Sequence, residues 1–184
     1  MAQRAEPDPV KAFVAVLAPQ GALIDRVVEL LAREVGPLER ASERFPFAHT
    51  GYYAEELGAE PLFRCFLPLE ALIDPGALPE LKAAAVRVEQ ALGVAGRRRV
   101  NLDPGYLDYG KVVLASYKYG GQKVYLREGV YADVILLYQK GRFIPFAWTF
   151  PDFVGGTYDQ LLLALRVRYR KQVRQGRVAQ GGGA

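Results

Sequence analysis

The chain has 184 residues, 51% of them hydrophobic, which suits one domain with a sizeable core and excludes intrinsic disorder. No apolar run approaches the ~20 residues of a membrane helix, and the single cysteine, Cys65, excludes an internal disulfide and disfavours a zinc site. The net charge of +4 sits at one end: six basic residues and no acidic one follow from Arg166 onward, so residues 1–165 carry −2.

Met1 to Pro9 is polar with two prolines and is expected to be a loose lead-in, without a signal-peptide pattern. Together with the lone cysteine, that predicts a cytoplasmic protein. Ala12 to Leu17 is continuously apolar, as in a central strand buried on both faces. Ile24, Val27, Val28, Leu31 and Val35 then fall at helical spacing, and Gly36-Pro37 stops the helix. Leu38 to Phe47 reads as a second strand, confined to an edge by Pro46. Phe47 to Glu56 reads as a polar, aromatic loop that holds the only histidine, His49.

Leu62 to Leu69 predicts a third strand. Leu81, Ala84, Val88 and Leu92 predict a second long helix, which Gly93 ends, and Val100 to Asp103 a fourth strand. The order β-α-β-β-α-β is that of a ferredoxin-like core, in the α+β class. A meander follows in Val112–Tyr117, Lys123–Arg127, Tyr131–Tyr138 and Arg142–Trp148, extending the first sheet or forming a second. Thr157-Tyr158-Asp159-Gln160 is a capping-box pattern for a C-terminal helix with Leu161, Leu165 and Tyr169 on its apolar side. The expected organisation is one α+β domain over 1–175: lead-in 1–9, ferredoxin-like core 10–105, meander 106–150 and helix 157–175. A disordered tail would cover 176–184.

The candidate site gathers around Val100 to Ser116. Asp103-Pro104-Gly105 predicts a turn, with Gly105 supplying any positive φ it needs. Asn101 and Asp103, two apart, would share a face and hold hydroxyls or a hard cation. Lys111 would pair an anion, Tyr52 and Tyr53 would stack on a base or sugar, and His49 or Glu43 would transfer protons. Thr50 and Glu56 lie in the same polar stretch. Asp133, a carboxylate inside an apolar strand, is expected to be buried and paired, at an edge, or part of the site. If Glu43 or Glu56 meets Asp103, the carboxylates suit Mg²⁺ or Mn²⁺. The plain alternative is that Asp103 caps its own turn and Lys111 is a solvated strand end.

No phosphate-binding glycine pattern occurs, which disfavours a P-loop nucleotide site, and no nucleophile elbow surrounds Ser42 or Ser116. The sequence therefore predicts a pocket for a small polar or phosphorylated ligand and leaves enzymatic status open. Two other classes compete. Arg97-Arg98-Arg99, the basic tail and eleven tyrosines would serve RNA binding, against which stands the −2 of the body. A tyrosine-rich meander pairing edge to edge would serve a homodimeric interaction module.

Seven segments together resemble a family of bacterial proteins, DUF4416, defined only as a domain of unknown function. They are Ser42–Phe47, Thr50–Tyr53, Glu56–Gly58, Asn101–Tyr106, Lys111–Ser116, Gly129–Ala132 and Trp148–Asp152. The resemblance runs from Pro9 to Tyr169. It implies the α+β fold and no particular chemistry; a GTP-binding label carried by some members has no motif here to support it. Members often read Ser-Thr-Lys-Asp and then a His-Arg pair, where this chain has Ser116-Tyr117-Lys118-Tyr119 and Gln122-Lys123.

Overall fold

The structure, a computed structural model, describes residues 5–19, 21–48, 51–57 and 61–181, without the side chains of 51, 52, 54 and 177–181. The first half builds β1 (Lys11–Pro19), α1 (Ala22–Val35), β2 (Phe45–Phe47), α2 (Gly51–Leu57), β3 (Leu62–Pro68), α3 (Leu78–Ala91) and β4 (Asn101–Leu107). These strands lie in the order β2-β3-β1-β4, every neighbour antiparallel. That is the ferredoxin-like order, with β3 lying between β1 and β2. The meander extends this same sheet through β5 (Lys111–Ser116), β7 (Tyr131–Gln139) and the two-residue β6 (Val124–Tyr125). The last strand, β8 (Arg142–Pro145), also pairs with β7. The β7–β8 turn is Lys140-Gly141, both at positive φ, the two-residue geometry whose twist suits a hairpin.

Every residue of β1 from Ala12 to Ala18 is fully buried, because the sheet is covered on both faces. Ala12, Val14 and Val16 pack with Ile24, Val27 and Leu31 of α1 and Leu81, Ala85 and Val88 of α3. The alternate residues Phe13 and Ala15 pack with Phe66, Leu114 and Ile135 beneath α4 (Pro151–Val154) and α5 (Asp159–Gly181). α5 supplies Leu162, Leu165, Tyr169 and Val173 to that second core.

Several expectations shift. The second strand shrinks to Phe45–Phe47; upstream, Leu38 only bridges Leu69, and the Ser42 hydroxyl accepts the Phe66 N–H at 2.9 Å in place of a regular ladder. Pro46 does sit on an edge strand. The segment read as a loop contains the helix α2, and α5 runs on to Gly181, past the expected start of the tail. Asp103-Pro104-Gly105 is no turn. It lies inside β4, with Ala15 opposite Asp103, Val14 opposite Pro104 and Phe13 opposite Gly105. Tertiary pairing overrides the local turn preference. No helix of the described residues is long and apolar enough to cross a membrane.

Candidate functional site

Pro104 explains where the site opens. It has no N–H to give to a neighbouring strand. β4 pairs β1 along its whole length, but pairs β5 only at Gly105, Tyr106 and Leu107. Ahead of Gly105 the two strands part, and a cleft of about 220 Å³ fills the gap. Asn101 and Asp103 line it from β4, and Leu114, Ala115 and Ser116 from β5, followed by Tyr117 and Lys118. Lys82, Val86 and Glu89, at i, i+4 and i+7, form one face of α3 and close the cleft from below. Lys123, Asp133, Tyr53, Phe150 and Arg98 complete it. A smaller chamber of about 80 Å³ adjoins it and shares Tyr53, Asp103, Leu114 and Phe150.

The floor of the smaller chamber is an ion-pair network around Arg64. Its guanidinium lies 3.0 Å from Asp103 Oδ2 and 3.2 Å from Asp152 Oδ2. Burial works against the charge of Arg64, but Asp103 and Asp152 outweigh it and push the guanidinium pKa up. Asn101 Nδ2 donates to Asp103 Oδ2 at 2.7 Å, and the Tyr158 hydroxyl to Asp152 at 3.2 Å. Burial, then the charge of Asp103, pushes the Tyr53 phenol up to about 12, so Tyr53 enters the site as a protonated phenol.

A second network ties α2, α3 and β4 together. Glu89 Oε1 accepts the Leu102 N–H at 2.6 Å, while its Oε2 faces Arg98 at 3.2 Å. Arg98 also pairs with Glu56 and donates to Asn101 Oδ1 at 3.2 Å. Burial raises the Glu89 carboxyl pKa, although Leu102, Lys82 and Arg98 all favour its ionised form. Lys123 donates to Ser116 Oγ at 3.0 Å and lies 3.5 Å from Asp133 Oδ2.

Of the residues expected to form the site, Tyr53, Asn101 and Asp103 meet in this cleft, and Asp133 joins them. Lys111 and Glu43 do not. Lys111 opens β5 at the far end of the β4–β5 hairpin, paired with Asp108 beside Tyr106 and Tyr109. Glu43 is exposed and lines neither chamber. The expected Glu43–Asp103 cation site is therefore not assembled, since Asp103 is engaged by Arg64 and Asn101. Glu56 pairs with Arg98 instead of meeting Asp103. His49, Thr50 and the Tyr52 side chain lie outside the described residues. Among the described residues, no three of His, Cys, Asp and Glu gather as a metal site.

The sequence reading missed Arg64, Lys82, Glu89, Lys123 and Asp152. Arg64 carried the signal that singled out Asp133, a charge inside an apolar strand. Lys82 and Glu89 flank the buried stripe of α3 and look like ordinary solvated positions in the sequence.

A family profile, Domain of unknown function (DUF4416), matches residues 8–169. The chain belongs to the DUF4416 family. The match takes in every residue named at the cleft. No curated protein and no solved structure matches the chain.

Proposed function

We propose that this DUF4416 protein binds a small polar molecule in the cleft between β4 and β5. The observation that carries the reading is the parting of the sheet at Gly105↔Leu114, with charged side chains from α3, β4 and β7 turned into the gap. A sheet interior normally buries apolar groups, and placing charges there is costly unless something is gained. Tyr117 and Phe150, 46% and 40% exposed, stand at the cleft as aromatic walls. The size selects the ligand: about 220 Å³ lies below the ~300–1,000 Å³ of drug-sized sites, so the fit is a metabolite fragment and not a dinucleotide.

The competing classes find less support. Arg166 of the basic tail stacks 3.5 Å over the Tyr138 ring and donates to the Tyr109 carbonyl, and Arg168 pairs with Glu39. Those two cations hold α5 to the body and are not free for a phosphate backbone. The sheet's outer strands are short: β2 has three residues including Pro46, β6 has two and β8 ends at Pro145. Short, proline-bearing edges resist the edge-to-edge pairing a strand-mediated dimer needs.

The test is a thermal-shift screen of the full chain against phosphosugars, hydroxy acids, amino acids and divalent metals, repeated on Val86→Trp, which fills the cleft. A ligand at ~100 times its dissociation constant stabilises by ~2.7 kcal/mol, a rise of roughly 5–10 °C for a chain of this size. A shift present in the wild type and absent in Val86→Trp is the expected result. Equal shifts in both proteins would place the ligand elsewhere and end the reading.

A further inference from the structure

The charges at the cleft are not evenly matched. Arg98 is answered by Glu56 and Glu89, Asp103 by Arg64, and Lys123 by Asp133. Lys82 is answered by no carboxylate within ion-pair distance among the described residues. The residue is 8% exposed, and its ammonium donates once, to the Leu102 carbonyl at 3.2 Å, out of three possible bonds. The Tyr117 ring lies 5.8 Å away. Glu89 feels its charge, but the Glu89 oxygens are already committed to the Leu102 N–H and Arg98. Asp133 is the converse case. Its side chain is 2% exposed, and Oδ1 is buried with no hydrogen-bond partner among the described residues. Both side chains line the same cleft. Buried polar atoms are normally paired, so an unpartnered carboxylate oxygen and an ammonium using one of its three bonds, both at one cavity, mark the positions of ligand groups.

The two groups differ in kind. At Lys82 the open valence is cationic and calls for an anion. At Asp133 the charge is already balanced by Lys123, 3.5 Å from Oδ2. An ammonium at Oδ1 would stand beside a second ammonium, whereas a hydroxyl donates without that repulsion.

We infer that the cleft takes a hydroxylated anion, a small polyol phosphate or a hydroxy acid, with its anionic group on Lys82 and one hydroxyl donating to Asp133 Oδ1. The inference rests on the binding function proposed above and names its ligand class. It also assigns Lys82 and Asp133 as the residues that select the ligand.

The test is calorimetry on the full-length protein with matched probes. Glycerol 3-phosphate and ribose 5-phosphate carry both features. Propyl phosphate lacks the hydroxyls, glycerol and ribose lack the anion, and aminopropyl phosphate replaces hydroxyl by ammonium. Glycerate tells carboxylate from phosphate as the anion. The expected result is that a hydroxylated anion binds at least ~10-fold more tightly than its matched partners, about 1.4 kcal/mol. Lys82→Gln should remove the advantage of the anion, and Asp133→Asn the advantage of hydroxyl over alkyl. The affinity ratios in the wild type test the class even if a variant fails to fold. Equal affinity for propyl phosphate and glycerol 3-phosphate, or tighter binding of aminopropyl phosphate, would overturn the inference while the cleft remains a binding site. So would a hit from the screen that is blocked by Val86→Trp yet lacks an anion or a hydroxyl. No cleft-dependent hit of any kind would end both readings.

Discussion

A methyl group on Gly105 would stand 2.3 Å from the Val113 carbonyl oxygen and 2.6 Å from Leu114 Cδ2. The nearer atom is backbone, so the clash cannot be relieved by turning a side chain. The glycine is there because β5 passes close, not because the chain turns. Gly105→Ala should destabilise by about 1–3 kcal/mol, the range for overpacking a fitted interior, toward its upper end because β5 itself must move. A urea titration reads this as a lower midpoint at unchanged slope; an unchanged midpoint would show that β4 and β5 are not so close. The same residues show how far the sequence was readable. Asp-Pro-Gly carries a strong local turn preference, and nothing within those three residues announces that β1 pairs along one side of them. Asn101 and Asp103 were legible as same-face neighbours because the two-residue period of a strand survives the error about the turn. Lys82 was not legible, since its burial depends on β4 and Tyr117, elements remote in sequence.

Among elements, the attachment of α5 turns on one carboxylate. Lys11 of β1 is fully buried, and its ammonium meets Glu39 at 2.7 Å as well as the Leu69 carbonyl. The other Glu39 oxygen receives Arg168 from α5, so one side chain joins the central strand, the α1–β2 connection and the last helix. The two pairs should differ greatly in weight. Glu39→Ala leaves a buried ammonium without its counter-ion, a change of about 3–5 kcal/mol. Arg168→Ala removes a half-exposed partner and should change stability by only about 0–1 kcal/mol. Denaturation of the two variants side by side decides the point, and equal small effects would mean that the Leu69 and Glu70 carbonyls alone satisfy Lys11. The long elements were legible because burial imposes period and length on β1, α1 and α3. The short ones, α2 and α4, were not, since a few residues cannot display a helical period.

At the scale of the molecule, the sheet needs covering on both sides, and the C-terminal helix is the second cover. α1 and α3 occupy one face; the other presents Phe13, Phe66, Leu114, Ile135, Leu136 and Phe143 to α4 and α5. Each such side chain gains about 1.5–3 kcal/mol from full burial. Exposing six would therefore remove roughly 9–18 kcal/mol, comparable to the ~5–15 kcal/mol that separates a folded domain from its unfolded chain. A chain ending at Phe150, without α4 and α5, should consequently lose its cooperative urea transition and bind a dye for exposed apolar surface. The ferredoxin-like half contains a complete α1–α3 core of its own, which makes the outcome informative. A truncated chain that still unfolds cooperatively would make α5 an appendage, and its arginines would become available to a partner. Loss of folding would instead make the basic helix part of the core, with the positive charge of the chain end as the outer face of a structural element.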